Sequence, residues 1–156
     1  MKNKKKNVKK TPQETYFQKL LRGYLSDEFE AEQIECELGR LSSRREGILR
    51  NEEYTDEQKE NLRKVIDNVR DDLAKSQERL FAARKEAEDI VSRLPSSYAA
   101  ILRMRYFLGM SWSKIEWEMY KLDESYTRSK VFKMHSRALK LGDGIITTKK
   151  ANTHIF

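Results

Sequence analysis

The chain is poor in the residues that build disulfide-bonded proteins, metal sites and membrane spans. It has one cysteine, Cys36, two histidines and two prolines in 156 residues. A single cysteine forms no internal disulfide, and on a helical surface it is most simply a small filler residue. No apolar run approaches the roughly 20 residues that cross a bilayer. No apolar segment follows the basic start MKNKKKNVKK, so no secretory signal is expected. We therefore expect a soluble cytoplasmic protein without a membrane partner.

The same scarcity argues against an enzyme. His135 falls in a helical pattern and His154 near the C-terminus, and neither is spaced with Cys36 as a metal site or a catalytic triad. There is no glycine-rich phosphate loop, and the carboxylates follow helical faces, where solvation is the default. We predict no catalytic residue, no cofactor and no metal site.

Charge is abundant and unevenly divided. Residues 1–13 hold six lysines and no acid; residues 14–93 hold 15 basic and 20 acidic residues; residues 94–156 hold 11 basic and five acidic residues. Clustered Lys and Arg release counterions from a phosphate backbone, so the two basic ends suit a polyanion and the acidic middle does not. A lysine-rich tail can also simply keep a small protein soluble. We expect residues 1–13 to form a basic disordered tail.

Hydrophobic spacing predicts an all-α protein. In the acidic middle, apolar residues recur by alternating fours and threes, as in a coiled coil, with one polar member. This seam consists of Leu62, Ile66, Val69, Leu73, Ser76, Leu80, Ala83, Ala87, Ile90 and Leu94. Thr55 supplies an N-cap and Pro95 a stop, which predicts one helix over residues 55–93.

A weaker stripe precedes this helix. It runs through Phe17, Leu20, Tyr24, Ala31, Ile34, Leu38 and Leu41. Gly, Ser and Asp in residues 23–27 predict either a kink or two consecutive helices. The segment 45–54 lets the chain fold back, so residues 14–93 form an antiparallel helical hairpin, or else a parallel homodimer forms through residues 62–94.

Residues 94–144 predict three further helices. Ser96 or Ser97 can cap the first, Gly109 suits the left-handed turn after it, and Ser111 can cap the second. The third helix is expected to end at Gly142, which leaves residues 145–156 as a C-terminal tail. Its apolar stripe is Val131, Met134, Ala138 and Leu141. Three short helices with a basic last one are the parts of a helix-turn-helix DNA-binding domain.

The other side of the third helix is basic and lacks acids. It carries Arg128, Ser129, Lys130, Phe132, Lys133, Ser136, Arg137 and Lys140. No acidic residue lies between Ser125 and Leu141. A solvated helix usually mixes both signs, so this face favours contact with nucleic acid over plain solvation.

These segments resemble a known family. "LPSSYAAILRMRYFLGMSWSKIEWEM" followed by "VFKMHSRALKL" is similar to region 4 of bacterial sigma-70 factors, and to the ArpU-like and RinA-like late-gene activators of phages of Gram-positive bacteria. The shared features are Leu94-Pro95, Arg105-Tyr106-Phe107, Gly109, Ser111-Trp112, Ile115 and residues 135–139. They cover about one third of the chain.

The resemblance implies a sequence-specific regulator of phage or prophage transcription in a bacterial host cell. Double-stranded DNA is the implied partner, and the host RNA polymerase a second one. Candidates for contact with base edges are Arg128, Ser129, Phe132 and Lys133. Candidates for phosphate contact are Ser111, Lys114, Lys130, Arg137 and Lys140. Phe132 fits the flank of the core equally well, and Trp112 and Trp117 are expected to be structural.

Two departures from the family pattern affect the predicted geometry. Glu116 stands where a small residue is common, and the connection before Val131 is about five residues longer than usual. The longer connection predicts a recognition helix that begins near Ser125. Two alternatives to a regulator are a DNA-packaging recognition subunit of the small terminase type, which assembles as a ring, and a coiled-coil adaptor that does not bind DNA specifically.

Overall fold

The computed structural model describes residues 13–153. Every regular element in this range is helical: α1 (Tyr16–Arg50), α2 (Asp56–Ser92), α3 (Ser96–Leu102), a π-helical turn (Arg103–Phe107), α4 (Trp112–Leu122) and α5 (Arg128–Thr153). The prediction of an all-α protein is confirmed for this range. Residues 1–12 of the predicted N-terminal tail lie outside the described residues, and so do residues 154–156. No helix in the described range is long and apolar enough to cross a membrane.

Both long helices begin with the same capping arrangement. The Thr15 hydroxyl accepts a hydrogen bond from Gln18 N at 3.2 Å, and the Gln18 side chain accepts one from Thr15 N. Thr55 and Gln58 repeat this pattern at the start of α2, so the predicted cap at Thr55 is confirmed. The helix α1 is continuous through residues 23–27, so the alternative of two consecutive helices there is wrong. Leu21 and Tyr24, on either side of Gly23, are both buried.

The two long helices pack side by side and run in opposite directions. Tyr16 donates a hydrogen bond to Glu86 at 2.8 Å, Gln77 donates one to Glu35 at 2.9 Å, and Arg45 pairs with Asp67 at 3.0 Å. The partner number in α2 falls as the number in α1 rises, which defines an antiparallel pair. Five residues, 51–55, connect the helices.

Most of the predicted α2 seam faces α1 or the core. Ile66, Ala87 and Ile90 are buried, whereas Val69 is 44% exposed. Within one chain, α1 thus covers the surface that a homodimer through residues 62–94 would use. That homodimer stays a prediction.

The start of α3 differs from the prediction. Pro95, rather than Ser96 or Ser97, is the N-cap residue, and no side chain caps the helix. Pro95 has a φ of −52° and a ψ of 144°, and its carbonyl accepts the first helical hydrogen bond from Ala99 N at 2.9 Å. The helix therefore begins at Ser96, one residue earlier than a Ser96 cap and two residues earlier than a Ser97 cap would place it.

The predicted helix up to Leu108 contains a wider turn. Leu108 N donates to Arg103 O at 2.9 Å, a π-type hydrogen bond. In this turn Phe107 stacks on Tyr24 of α1 with ring centroids 4.1 Å apart, and Tyr106 reaches α5. Gly109 follows with a φ of +66°, which confirms the predicted left-handed turn.

The prediction that the last helix ends at Gly142 is wrong. The helix α5 continues to Thr153, so residues 145–153 are helical instead of forming a tail. Gly142 is buried beside the Phe17 ring, and the glycine allows close packing there rather than ending the helix. Leu141 is correspondingly not on the buried side, since it is 45% exposed, and Ile146 is buried in its place.

The core has two apolar clusters. The larger one joins α1, α2, α3 and α5 through Phe17, Leu21, Ile90, Val91, Leu94, Ala99, Leu102, Ala138 and Ile146. The smaller one joins α3, α4 and α5 through Ile101, Ile115, Met119, Val131 and Met134. Since α5 belongs to both, its first half is held by α3 and α4 and its second half by the long helices.

Candidate nucleic-acid interface

The helix α4 presents α5 through a short turn. Ser111 caps α4 as predicted, because its hydroxyl accepts a hydrogen bond from Lys114 N at 3.3 Å. Ile115 and Met119, on the buried side of α4, pack in the smaller cluster with Val131. Apolar contacts with α4 therefore hold the first turns of α5 in place on their buried side.

The turn 123–127 sets where α5 begins. The Asp123 carboxylate accepts a hydrogen bond from Ser125 N at 2.9 Å, and this bond lowers the pKa of Asp123 below its usual value. The Thr127 hydroxyl accepts one from Lys130 N at 3.3 Å and caps α5. The expectation that the helix begins near Ser125 is thus wrong. Ser125 belongs to the turn, and α5 starts at Arg128.

One side of α5 is an open, basic surface, which we call the basic face. Its residues are Arg128, Ser129, Phe132, Lys133, Ser136, Arg137 and Lys140. All are exposed to solvent. The helix therefore brings together the four candidates for base contact and two of the five candidates for phosphate contact.

In the described part of the chain, the cations of the basic face form no ion pairs with carboxylates. Among the described residues, none of Arg128, Lys133, Arg137 and Lys140 has a carboxylate within 4.0 Å. In the acidic middle, by contrast, cations are paired with carboxylates. Arg63, for example, pairs with both Glu60 and Asp67. Repulsion between like charges on α5 is therefore left without local compensation.

Three phosphate candidates lie outside the basic face. Ser111 and Lys114 are exposed at the start of α4. Lys130 points toward the turn: its Nζ donates to the Ser125 hydroxyl at 3.4 Å and lies 4.8 Å from the centre of the Tyr126 ring. A ligand bound to the basic face would therefore contact these three residues only at the edge of that face.

Phe132 fits both roles that the sequence left open. Its ring centre is 4.9 Å from that of Trp112, and the ring is nevertheless 37% exposed. The guanidinium carbon of Arg128 lies 5.5 Å from the centre of the same ring. This cation–π contact orients the Arg128 side chain along the basic face.

Behind the basic face, His135 joins α5 to the π-helical turn. Its Nε2 is 2.9 Å from the Tyr106 hydroxyl, and its ring meets Trp112 edge-on at 4.8 Å. Burial lowers the pKa of His135 below 6.5, and the nearby Arg105 guanidinium lowers it further. Burial also raises the pKa of Tyr106. A neutral imidazole thus supports α5 from its inner side.

The two tryptophans differ in their surroundings. Trp112 packs against the smaller cluster, as expected. Trp117 does not, since it is 58% exposed and stacks on Tyr120 at 6.3 Å. The expectation that Trp117 is structural is wrong because its position on α4 is on the outer side. Glu116 is half-buried beside it and adjoins Thr127 and Arg128, so the bulky acid fits beside the start of α5.

The structure also places Arg93 in the lining of an open groove that it shares with Lys140 and other residues of the second half of α5. Sequence patterns missed this residue, because 47 positions separate it from Lys140 and no helical period connects them. The described residues contain no group of three His, Cys, Asp or Glu side chains that could hold a metal ion. Neither a protein-family profile, nor a curated protein, nor a solved structure matches this chain.

Proposed function

We propose that this chain is a DNA-binding protein that uses the basic face of α5. The observation that carries the proposal is that α5 has exposed cations which, among the described residues, form no ion pair with a carboxylate. Phosphates supply the missing negative charge, and the counterions that they release drive association. The rigid support of α5 by the smaller cluster suits this role, since base recognition needs side chains at fixed positions.

More specifically, the protein is a sequence-specific transcriptional regulator of phage or prophage genes. In this proposal α4 and α5 act as a helix-turn-helix, and α1 and α2 form a helical hairpin that carries it. Arg128, Ser129, Phe132 and Lys133 lie in the first turns of α5, the part of a recognition helix that enters the major groove. Arg137 and Lys140 follow farther along, where they meet phosphates. The assignment to phage regulators, and to RNA polymerase as a second partner, rests on the sequence resemblance to sigma region 4.

Selection from random duplexes, followed by binding measurements on variants, tests the proposal. Arg128→Ala should cost about 1–3 kcal/mol on the selected site and relax the preference at one or two base pairs. Lys140→Ala should weaken binding to selected and scrambled DNA by the same factor. The control is Lys64→Ala, an exposed lysine near the start of α2, at the end of that helix away from α3 and α5, which should change neither.

Three outcomes would contradict the proposal in different ways. Absence of duplex binding at low salt would reject the DNA-binding class. If Arg128→Ala weakens binding to both DNAs equally, α5 makes only an electrostatic contact, and the proposal of sequence-specific regulation is rejected. A ring-shaped assembly in sedimentation would favour a DNA-packaging subunit.

A further inference from the structure

A second basic surface lies where the end of α2 meets the second half of α5. It is an open groove lined by Arg93 from the end of α2 and by Lys140, Leu141, Gly144, Ile145, Thr148 and Lys149 from α5. Lys140 also belongs to the basic face, so the two surfaces are continuous. We call this surface the junction groove.

Arg93 is held in place by its backbone while its side chain stays exposed. It is the C-cap residue of α2, and its N–H donates to Ile90 O at 3.1 Å. The next residue, Leu94, is buried in the larger cluster. Among the described residues Arg93 has no carboxylate within 4.0 Å, and Asp89, one turn earlier, does not pair with it. The backbone of Arg93 is therefore held in place, while the positive charge of its guanidinium is not neutralised by a nearby carboxylate.

Gly144 lines the junction groove without a side chain. A Cβ atom there would meet nothing within 4 Å, so packing inside the chain does not require this glycine. Glycine lowers helix stability relative to alanine, and a common reason to keep one is the close approach of a ligand to the backbone. Gly142, two residues earlier, differs because the Phe17 ring occupies the space beside it.

The length of α5 determines what the junction groove can reach on DNA. At 1.5 Å per residue, Lys140 lies about 18 Å and Lys149 about 31 Å along the helix from Arg128. The major groove is only about 12 Å wide. With the first turns of α5 in the groove, cations this far along the helix meet the sugar-phosphate backbone instead of bases.

The geometry points to the junction groove as a second phosphate-contact site for duplex DNA, with Arg93 as its main cation. This inference rests on the proposed function and adds to it. The DNA backbone crosses α5 near Gly144 and is contacted from α2 as well as from α5, so the long helices take part in binding as well as in support.

The test measures affinity for the selected site and for scrambled DNA over a range of salt concentrations. Arg93→Ala should weaken both DNAs by the same factor and reduce the salt slope by about 0.9, the value for one lost phosphate contact. The ratio of wild-type to variant affinity should accordingly shrink about 3.5-fold between 50 and 200 mM salt. Arg93→Lys keeps the charge and should restore most of the slope, whereas Arg93→Gln should not.

A second variant pair tests the approach to Gly144. Gly144→Gln adds a neutral side chain to the lining of the groove and should weaken binding to both DNAs. The control is Gly39→Gln on α1, another helical glycine whose Cβ would meet nothing within 4 Å, and it should leave binding unchanged. Circular dichroism of each variant confirms that the helices are retained.

The inference and the proposed function fail differently. An unchanged affinity and salt slope in Arg93→Ala, with Arg137→Ala still weakening binding, would overturn the junction groove alone. A loss by Arg93→Ala on the selected site only would also overturn it, since a phosphate contact is insensitive to sequence. If neither arginine variant weakens binding, the DNA-binding proposal fails as well.

Discussion

Replacement of Gly142 by alanine tests how α5 is held against α1. A Cβ atom at this position would lie 2.0 Å from Cε1 and 2.3 Å from Cδ1 of Phe17. Phe17 is 0% exposed, so its ring has no solvent space into which it can rotate. An overpacked contact of this kind costs about 1–3 kcal/mol, and the better helix propensity of alanine returns up to about 1 kcal/mol. Because an approach of 2.0 Å lies far inside van der Waals contact, the upper end of that cost applies, and we expect Gly142→Ala to lower the free energy of unfolding by about 2 kcal/mol.

Urea unfolding followed by circular dichroism measures this change, and the same helix offers a matched control. Gly144→Ala adds a methyl group in open space and should raise the free energy of unfolding by up to about 1 kcal/mol. In a Phe17→Leu background the smaller side chain should remove most of the penalty at Gly142, which a double-mutant cycle reports as coupling. Unfolding of Gly142→Ala at the wild-type urea concentration or above would refute the packing argument.

Two further predictions concern the support of α5. Burial lowers the pKa of His135 below 6.5, so the unfolded chain binds a proton more readily than the folded one, and the stability present above pH 6.5 is lost as the pH falls toward the lower folded pKa. Urea unfolding at pH 7.5 and 5.5 should show a loss in the wild type that is smaller in His135→Gln; equal losses would contradict this. Ile115 is 0% exposed in the smaller cluster, so Ile115→Ala should cost about 2–5 kcal/mol, and an unchanged melting temperature in calorimetry would disprove the assignment.

The features that could be predicted from sequence are those set by neighbouring residues. Thr55 caps α2 and Ser111 caps α4 because each hydroxyl accepts a hydrogen bond from an amide three residues ahead. Gly109 adopts a positive φ, which glycine does at little cost. The basic face of α5 also follows from local spacing, because side chains three and four apart share one side of a helix.

The features that sequence reasoning missed depend on distant residues. Gly142 has the sequence features of a helix end, but the structure shows that the Phe17 ring packs against it. Ile146 was expected in a tail, but the larger cluster buries it. Trp117 resembles a core residue by type, yet its position on α4 turns it toward solvent. Arg93 joins the cations of α5 only because α2 ends beside that helix.

The contact between Phe17 and Gly142 also constrains how the protein can fold during synthesis. The two residues are 125 positions apart, and the larger cluster that contains Phe17 also needs Ala138 and Ile146. At a translation rate of about 5–20 residues per second, Phe17 waits roughly 6–25 seconds after its own synthesis before its partners on α5 exist. During that interval α1 and α2 can pair, but one end of the pair keeps an apolar surface uncovered. Contacts this distant in sequence close late and slowly, so completion of the fold depends on the arrival of the same helix that carries the basic face.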